Sequence, residues 1–242
     1  MFADGCGTNY FQECFQSPYG VNFFAEYAEP VGGETTLALQ QWARQHKVTI
    51  VGGSFPERDQ NGKLYNTSLT VDPAGNILGK HRKVHLFDIN VPGKISFQES
   101  AALTAGDKIT VFDSPVGRLG IGICYDMRFS EFARKMTEAG AEILIYPGAF
   151  NMTTGPMHWE LLQRGRAVDE EAFVITCAPA RVTEGSGYVS FAHSMCVSPW
   201  GQILVNAGAD EGVVFAEIDP QELSSIRESI PIWKQRQTDR LV

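Results

Sequence analysis

The chain is predicted to be an α/β protein, a four-layer α-β-β-α sandwich of two mixed sheets forming one domain over residues 1–242. Three observations predict it. Short apolar, β-branched runs alternate with segments that carry apolar residues at helical spacing. Several of the runs come in pairs about Pro, Gly, Asn and Asp turns, which is the grammar of hairpins. No linker or low-complexity stretch divides the halves. A mixture of βα units and hairpins buries both kinds of element best as two face-to-face sheets with helices outside.

In chain order, Val48-Thr-Ile-Val-Gly-Gly-Ser-Phe is predicted to be one buried strand. Residues 64–71 and 77–84 follow as a hairpin about Asp72-Pro-Ala-Gly-Asn. Residues 109–112 and 118–123 repeat that pattern about Asp113-Ser-Pro-Val-Gly. Residues 129–139 show helical spacing ended by Gly140, and residues 142–146 form a strand that stops at Pro147. Residues 158–172 are an amphipathic helix leading into the apolar strand 173–178. Strands at 193–198, 202–206 and 212–218 come next, then a helix opened by Asp219-Pro220.

At 43% hydrophobic and 20% charged, 242 residues can bury a sizeable core. A net charge of −8 with both signs interspersed argues against nucleic acid or an anionic membrane as partner. The five cysteines are odd in number, widely spread and without a C-x-x-C pair, which favours a reducing compartment. The absence of an apolar span and of a basic-then-apolar leader makes cytoplasm the expected location, with mitochondria as an alternative. Asn66-Thr-Ser and Asn151-Met-Thr match the glycosylation sequon, a pattern short enough to recur by chance.

Cys124 lies in Gly120-Ile-Gly-Ile-Cys-Tyr-Asp-Met-Arg-Phe, where an apolar run breaks into a polar, helix-starting segment just after the thiol. A thiol at a strand end is held on a rigid element, with turn N–H groups free to bind an oxyanion. Buried packing is the alternative for any lone cysteine. A thiol nucleophile needs a base and a cation. Glu13, in Phe11-Gln-Glu-Cys-Phe-Gln-Ser-Pro-Tyr-Gly, and Lys83, in Gly79-Lys-His-Arg-Lys-Val-His-Leu-Phe, are the candidates. By residue type alone they read rather as a surface acid and as a solvated lysine in a basic cluster. Arg128, four residues past the thiol, can clamp a carboxylate or can pair with Asp126 or Glu131. His81 and His85 lack the Glu of an H-E-x-x-H site, so no metal is expected. Gly117, Gly120 and Gly122 do not make a phosphate loop, and Cys14, Cys177 and Cys196 read as inert packing.

These residues fall in the order and contexts of a known family. Glu13-Cys-Phe-Gln-Ser-Pro-Tyr-Gly, Leu64-Tyr-Asn-Thr, Arg82-Lys-Val-His-Leu-Phe-Asp, Gly122-Ile-Cys-Tyr-Asp-Met-Arg-Phe and Tyr146-Pro-Gly-Ala-Phe-Asn-Met-Thr-Thr-Gly-Pro resemble the nitrilase superfamily of carbon–nitrogen hydrolases, in its omega-amidase branch. The resemblance implies Glu13 as general base, Lys83 as oxyanion stabiliser, Cys124 as nucleophile and Glu99, in Ile95-Ser-Phe-Gln-Glu-Ser, as a positioning second glutamate. It favours Arg128 as substrate-binding, with Tyr19, Tyr125 and Thr154 as further pocket residues. It implies a nitrilase-like fold, a thioester mechanism without cofactor, a homodimer, and a place in glutamine metabolism. The implied substrates are 2-oxoglutaramate and 2-oxosuccinamate. A nitrile, a carbamoyl amine or another amide is the alternative.

The family opens with a strand and a helix ahead of the strand that delivers the base glutamate. These need about 25–30 residues, whereas twelve precede Glu13, and Gln12 replaces the usual proline. The expectation is therefore an N-terminally truncated form, without an apolar strand before Glu13 and with Glu13 the group most exposed to misplacement. A folded but catalytically impaired relative, acting by association, stands as the alternative function.

Overall fold

The computed structural model describes residues 7–183 and 187–237. In chain order the elements are β1 (Thr8–Tyr10), α1 (Val21–Tyr27), α2 (Glu34–His46), β2 (Thr49–Val51), β3 (Phe55–Arg58), β4 (Leu64–Val71), β5 (Ile77–Arg82), β6 (Asp88–Val91) and β7 (Ile95–Gln98). They continue as β8 (Thr110–Ser114), β9 (Gly117–Ile121), α3 (Ser130–Glu138), β10 (Ile143–Pro147), α4 (Gly155–Glu170), β11 (Phe173–Cys177), β12 (Met195–Val197), β13 (Ile203–Asn206), α5 (Pro220–Ser229) and α6 (Ile232–Gln235). Among them β1, β2, β4 and β3 lie side by side in that order, with β5 also on β4. The second sheet runs β13-β12-β11-β10-β9-β8, parallel across β9, β10 and β11 and antiparallel beyond them. β6 and β7 form a separate two-stranded hairpin.

The alternation of side chains along each strand builds the layers. In β2, Val51 packs with Ile121, Ile143 and Ile145 between the sheets, whereas its neighbour Ile50 packs outward with Leu39 and Ala43 of α2. In β10, Ile143 and Ile145 face the first sheet, and Leu144 and Tyr146 face Met136 of α3 and Trp159 of α4. The order is α2, first sheet, second sheet, then α3 and α4, which is the expected sandwich.

Several expected elements take different bounds. Residues 48–55 are two strands rather than one, because Gly53 takes a left-handed φ of 51° and reverses the chain between β2 and β3. A Cβ at Gly53 would stand 2.1 Å from the Gln12 carbonyl oxygen, so the residue also admits the segment that carries Glu13. The strand that delivers Glu13 is short: Thr8–Tyr10 pairs in parallel with Thr49–Val51, polar side chains notwithstanding, and Tyr10 packs into the intersheet core. Residues 212–218 form no strand; Val213, Val214 and Phe215 stand exposed with no ladder beside them. The hairpin strand at 77–84 ends at Arg82, and the one at 118–123 ends at Ile121. Helix α4 starts before residue 158, at Gly155, with Pro156 in its first turn. Asp219 caps α5 as expected, accepting from the Gln221 N–H at 2.8 Å.

Candidate active site

Four separate segments converge on one buried point at the edge between the sheets. The first is the loop after β1. Ser54, in the reversal after β2, holds it: its hydroxyl accepts from the Cys14 N–H at 3.0 Å, and its carbonyl accepts from the Phe15 N–H at 3.1 Å. Cys14 itself takes a left-handed φ of 50°. Glu13, 2% exposed, is thereby turned inward.

The second segment follows β5. The Lys83 N–H donates to the Asn66 carbonyl at 2.8 Å, which extends the β4 ladder by one residue and points a fully buried ammonium at Glu13. Lys83 Nζ donates to Glu13 Oε1 at 2.8 Å and to Glu99 Oε1 at 3.0 Å. The third segment is the turn after β7, where Glu99 also accepts from the Phe87 N–H at 2.7 Å and from the Tyr19 hydroxyl at 3.1 Å. The fourth carries the thiol. β9 ends at Ile121, and Cys124 opens a single 3-10 turn to Arg128 with φ 47°, a strained conformation for a side chain with a Cβ. Gly122 leaves no choice at this bend, since a Cβ there would lie 2.5 Å from the Tyr146 ring.

Glu13 and the Ala149 N–H both reach the Cys124 thiol. Ala149 N–H also donates to Glu13 Oε2 at 3.0 Å, and its carbonyl accepts from the Tyr188 hydroxyl. Asn66 Nδ2 adds a 2.9 Å bond to Glu13 Oε1. Burial pushes the Glu13 carboxyl up, opposed by Lys83 and aided by Glu99. Burial alone would lower the Lys83 ammonium, but the two carboxylates override it and hold it well above the usual lysine range. Burial and Glu13 raise the Cys124 thiol well above the usual cysteine range, against the pull of Lys83. The resting thiol is therefore protonated, beside a carboxyl of raised basicity and a permanent cation. Such a set can move the thiol proton to the carboxyl as sulfur attacks, and can hold the oxyanion that forms.

The site brings Glu13, Lys83, Glu99 and Cys124 together, and Tyr19 with them. Tyr125 packs edge-on against Phe87 and Phe129, its ring beneath Arg128. Arg128 pairs with neither Asp126 nor Glu131: its guanidinium lies over the Phe150 ring at 4.7 Å and bonds His158 Nδ1 at 3.1 Å. Thr154 stands at the start of α4 with its backbone N–H and hydroxyl both turned to Asn151 Oδ1. Sequence reasoning did not assign Asn66, Tyr188 or the Ala149 peptide; Asn66 stands in the Leu64-Tyr-Asn-Thr block, but nothing in its spacing pointed to Glu13. Both sequon asparagines, Asn66 and Asn151, are buried. Cys14, Cys177 and Cys196 are unpaired, and burial raises each thiol; Cys6 lies outside the described residues. Among the described residues no group of three or more His, Cys, Asp or Glu could hold a metal, and no helix is long and apolar enough to cross a membrane.

A sandwich of two sheets that gathers a buried thiol, carboxyls and an ammonium at its edge is the architecture of an amidase-type hydrolase. The carbon-nitrogen hydrolase family matches residues 3–228, and the chain belongs to it. Its curated relatives place it in the omega-amidase branch: it is 52% identical over 227 residues to the human omega-amidase NIT2, covering 94% of this chain and 82% of that one. It is 55% identical over 227 residues to omega-amidase NIT2-A of Xenopus laevis, with the same coverage. Among solved structures, Nit3 of Saccharomyces cerevisiae, a member of branch 10 of the nitrilase superfamily, superposes with a TM-score of 0.86 at 41% identity, over 95% of this chain and 83% of that one. The C. elegans NitFhit protein superposes at 0.84 with 31% identity, over 97% of this chain and 57% of that one.

Proposed function

We propose that this protein hydrolyses the omega-amide of a dicarboxylic keto acid monoamide, 2-oxoglutaramate or 2-oxosuccinamate, to the keto acid and ammonia. The observation that carries the choice of substrate is Arg128. Its guanidinium is close enough to Cys124 for the two to interact electrostatically, and its Nε is buried with no partner among the described residues. Burial lowers the guanidinium from its usual range, and the residues beside it are aromatic rather than acidic. A cation left this way can donate two N–H bonds to a ligand carboxylate. A small diacid monoamide held there by its far carboxylate presents its amide to the thiol. The curated omega-amidase relatives support the same reading.

In the proposed reaction Glu13 takes the Cys124 proton as the S–C bond forms at the amide carbon, and Lys83 with an N–H of the Cys124 turn holds the oxyanion. The tetrahedral species collapses, the C–N bond breaks, and Glu13 returns the proton to the departing nitrogen as ammonia. A thioester remains on Cys124. Glu13 then deprotonates water, which attacks the thioester; the C–S bond breaks, the carboxylic acid leaves and the thiol is restored. The balance needs no external oxidant, metal or organic cofactor. The buried Glu13–Lys83–Glu99 set supports this, since a lysine placed between two carboxyls stays cationic through the cycle.

The reading includes a cytoplasmic homodimer serving glutamine metabolism. Exposed Leu161 and Val168 on α4, with Val213 and Phe215, support association. The test is ammonia release from 2-oxoglutaramate beside a Cys124→Ala control and beside a neutral amide of equal length. Cys124-dependent release with preference for the diacid supports the proposal. Equal turnover of both amides overturns the substrate, and release without Cys124 overturns the mechanism.

A further inference from the structure

His81, Lys83 and His85 alternate along one stretch, and the two histidines, although no metal site, share a single partner in the turn that follows β9. Asp126, fully buried and two residues after Cys124, lies 3.1 Å through Oδ2 from His81 Nε2 and 2.8 Å through Oδ1 from His85 Nδ1. Oδ1 also accepts the His85 N–H at 2.8 Å, and Oδ2 accepts the Ile123 N–H at 2.9 Å. His81 Nδ1 lies 3.0 Å from the Thr110 hydroxyl, which donates to the Lys80 carbonyl. These bonds hold the Asp126 carboxyl well below the usual aspartate range despite its burial, so a permanent anion sits beneath the turn.

We infer that Asp126 is a positioning residue that sets the separation of Lys83 and Cys124. The inference rests on the reading of those two as oxyanion stabiliser and nucleophile. Lys83 follows β5 of the first sheet and Cys124 follows β9 of the second, so their register depends on what joins the two segments locally. Asp126 grips residues two before and two after Lys83 and, through Ile123, the residue before Cys124. One carboxylate therefore ties both sides of the lysine to the base of the thiol turn. The geometry leaves no room for an amide. Each oxygen already faces a backbone N–H, so either orientation of an asparagine sets its NH2 against a donor. Displacing a reacting group by about 1 Å costs on the order of 10²-fold in rate, which is the scale expected for losing the tie.

The test compares Asp126→Asn, His85→Ala and His85→Asn in the full chain with 2-oxoglutaramate, counting competent sites by alkylation of Cys124. Asp126→Asn is expected to lower kcat per competent site by roughly 10²-fold with KM little changed. The His85 pair keeps the test decisive if Asp126→Asn does not fold. Both His85 variants lose the ring stacked 3.6 Å from Phe129, but only asparagine places an N–H donor where Nδ1 stands. His85→Asn is therefore expected to recover most of the kcat that His85→Ala loses. Equal kcat in the two His85 variants, or a folded Asp126→Asn with kcat per site within about twofold of wild type, overturns the inference. Absence of Cys124-dependent turnover in the wild-type chain instead overturns the reading on which it rests.

Discussion

Replacing Lys83 by methionine separates the chemical from the structural work of this side chain. Methionine nearly fills the volume but removes an ammonium bonded at 2.8 Å and 3.0 Å to two carboxyls with no solvent access. Loss of one oxyanion donor costs about 2.7–4 kcal/mol of barrier, so kcat should fall by roughly 10²–10³-fold. Removing one partner from a buried ion pair costs about 3–5 kcal/mol of stability. At about 2–4 °C per kcal/mol for a chain of this length, Tm should drop by roughly 6–20 °C. The sign of the pH dependence follows. Burial already raises the Glu13 carboxyl, and removing the opposing cation raises it further above its unfolded value, so the folded state is favoured at low pH and loses that advantage as pH rises. Thermal scans at pH 5 and pH 8 should show the smaller deficit at pH 5. Adding Glu99→Gln should restore part of the Tm and none of the kcat. A Lys83→Met chain with kcat within tenfold of wild type, or with Tm unchanged at pH 8, would refute the reasoning.

Two further outcomes are expected. Arg128→Ala should weaken KM for 2-oxoglutaramate while leaving a neutral amide little changed; a charge-assisted bond is worth about 1.5–3 kcal/mol, which is roughly 10–150-fold. Steady-state kinetics on both amides check it, and parallel losses would contradict the carboxylate clamp. The acid limb of kcat/KM should lie above pH 4.5, the ordinary glutamate value, because burial raises Glu13 and activity requires its ionised form. A pH–rate profile with no fall on approaching that value from above would count against Glu13 as the base.

What could be read from the residues followed the strength of the local signal. β10 and α4 have continuous apolar runs or clear helical spacing, and Asp219-Pro220 announces α5; all three lie near their expected places. α2 escaped notice because its buried face is only Thr35, Thr36, Leu39 and Ala43, with Gln40, Gln41 and Arg44 between them. The β6–β7 hairpin is too short and half-exposed to stand out. Residues 212–218 misled in the other direction, their apolar character facing outward instead of pairing. In the site, Cys124 was legible from its strand-to-turn context, whereas Glu13 and Lys83 needed family resemblance, since the partners of Glu13 lie 53 to 136 residues away in sequence and Lys83 joins Glu13 across 70 residues. Sequence separations of 39 to 53 residues likewise hid Asn66, Tyr188 and the double grip of Asp126 on His81 and His85. Short, polar Thr8–Tyr10 became a strand through its parallel partner β2, a tertiary effect that no local propensity contains.

The central claim is that Cys124 carries the acyl group. Rapid acid quenching during turnover of 2-oxoglutaramate, followed by mass analysis of the peptide containing Cys124, tests it directly. The account predicts a mass increase equal to the substrate less ammonia, confined to that peptide, labile to hydroxylamine and missing in Cys124→Ala. Turnover with an unmodified Cys124 peptide under quench conditions that preserve a thioester standard, or the acyl mass on another residue, would contradict it.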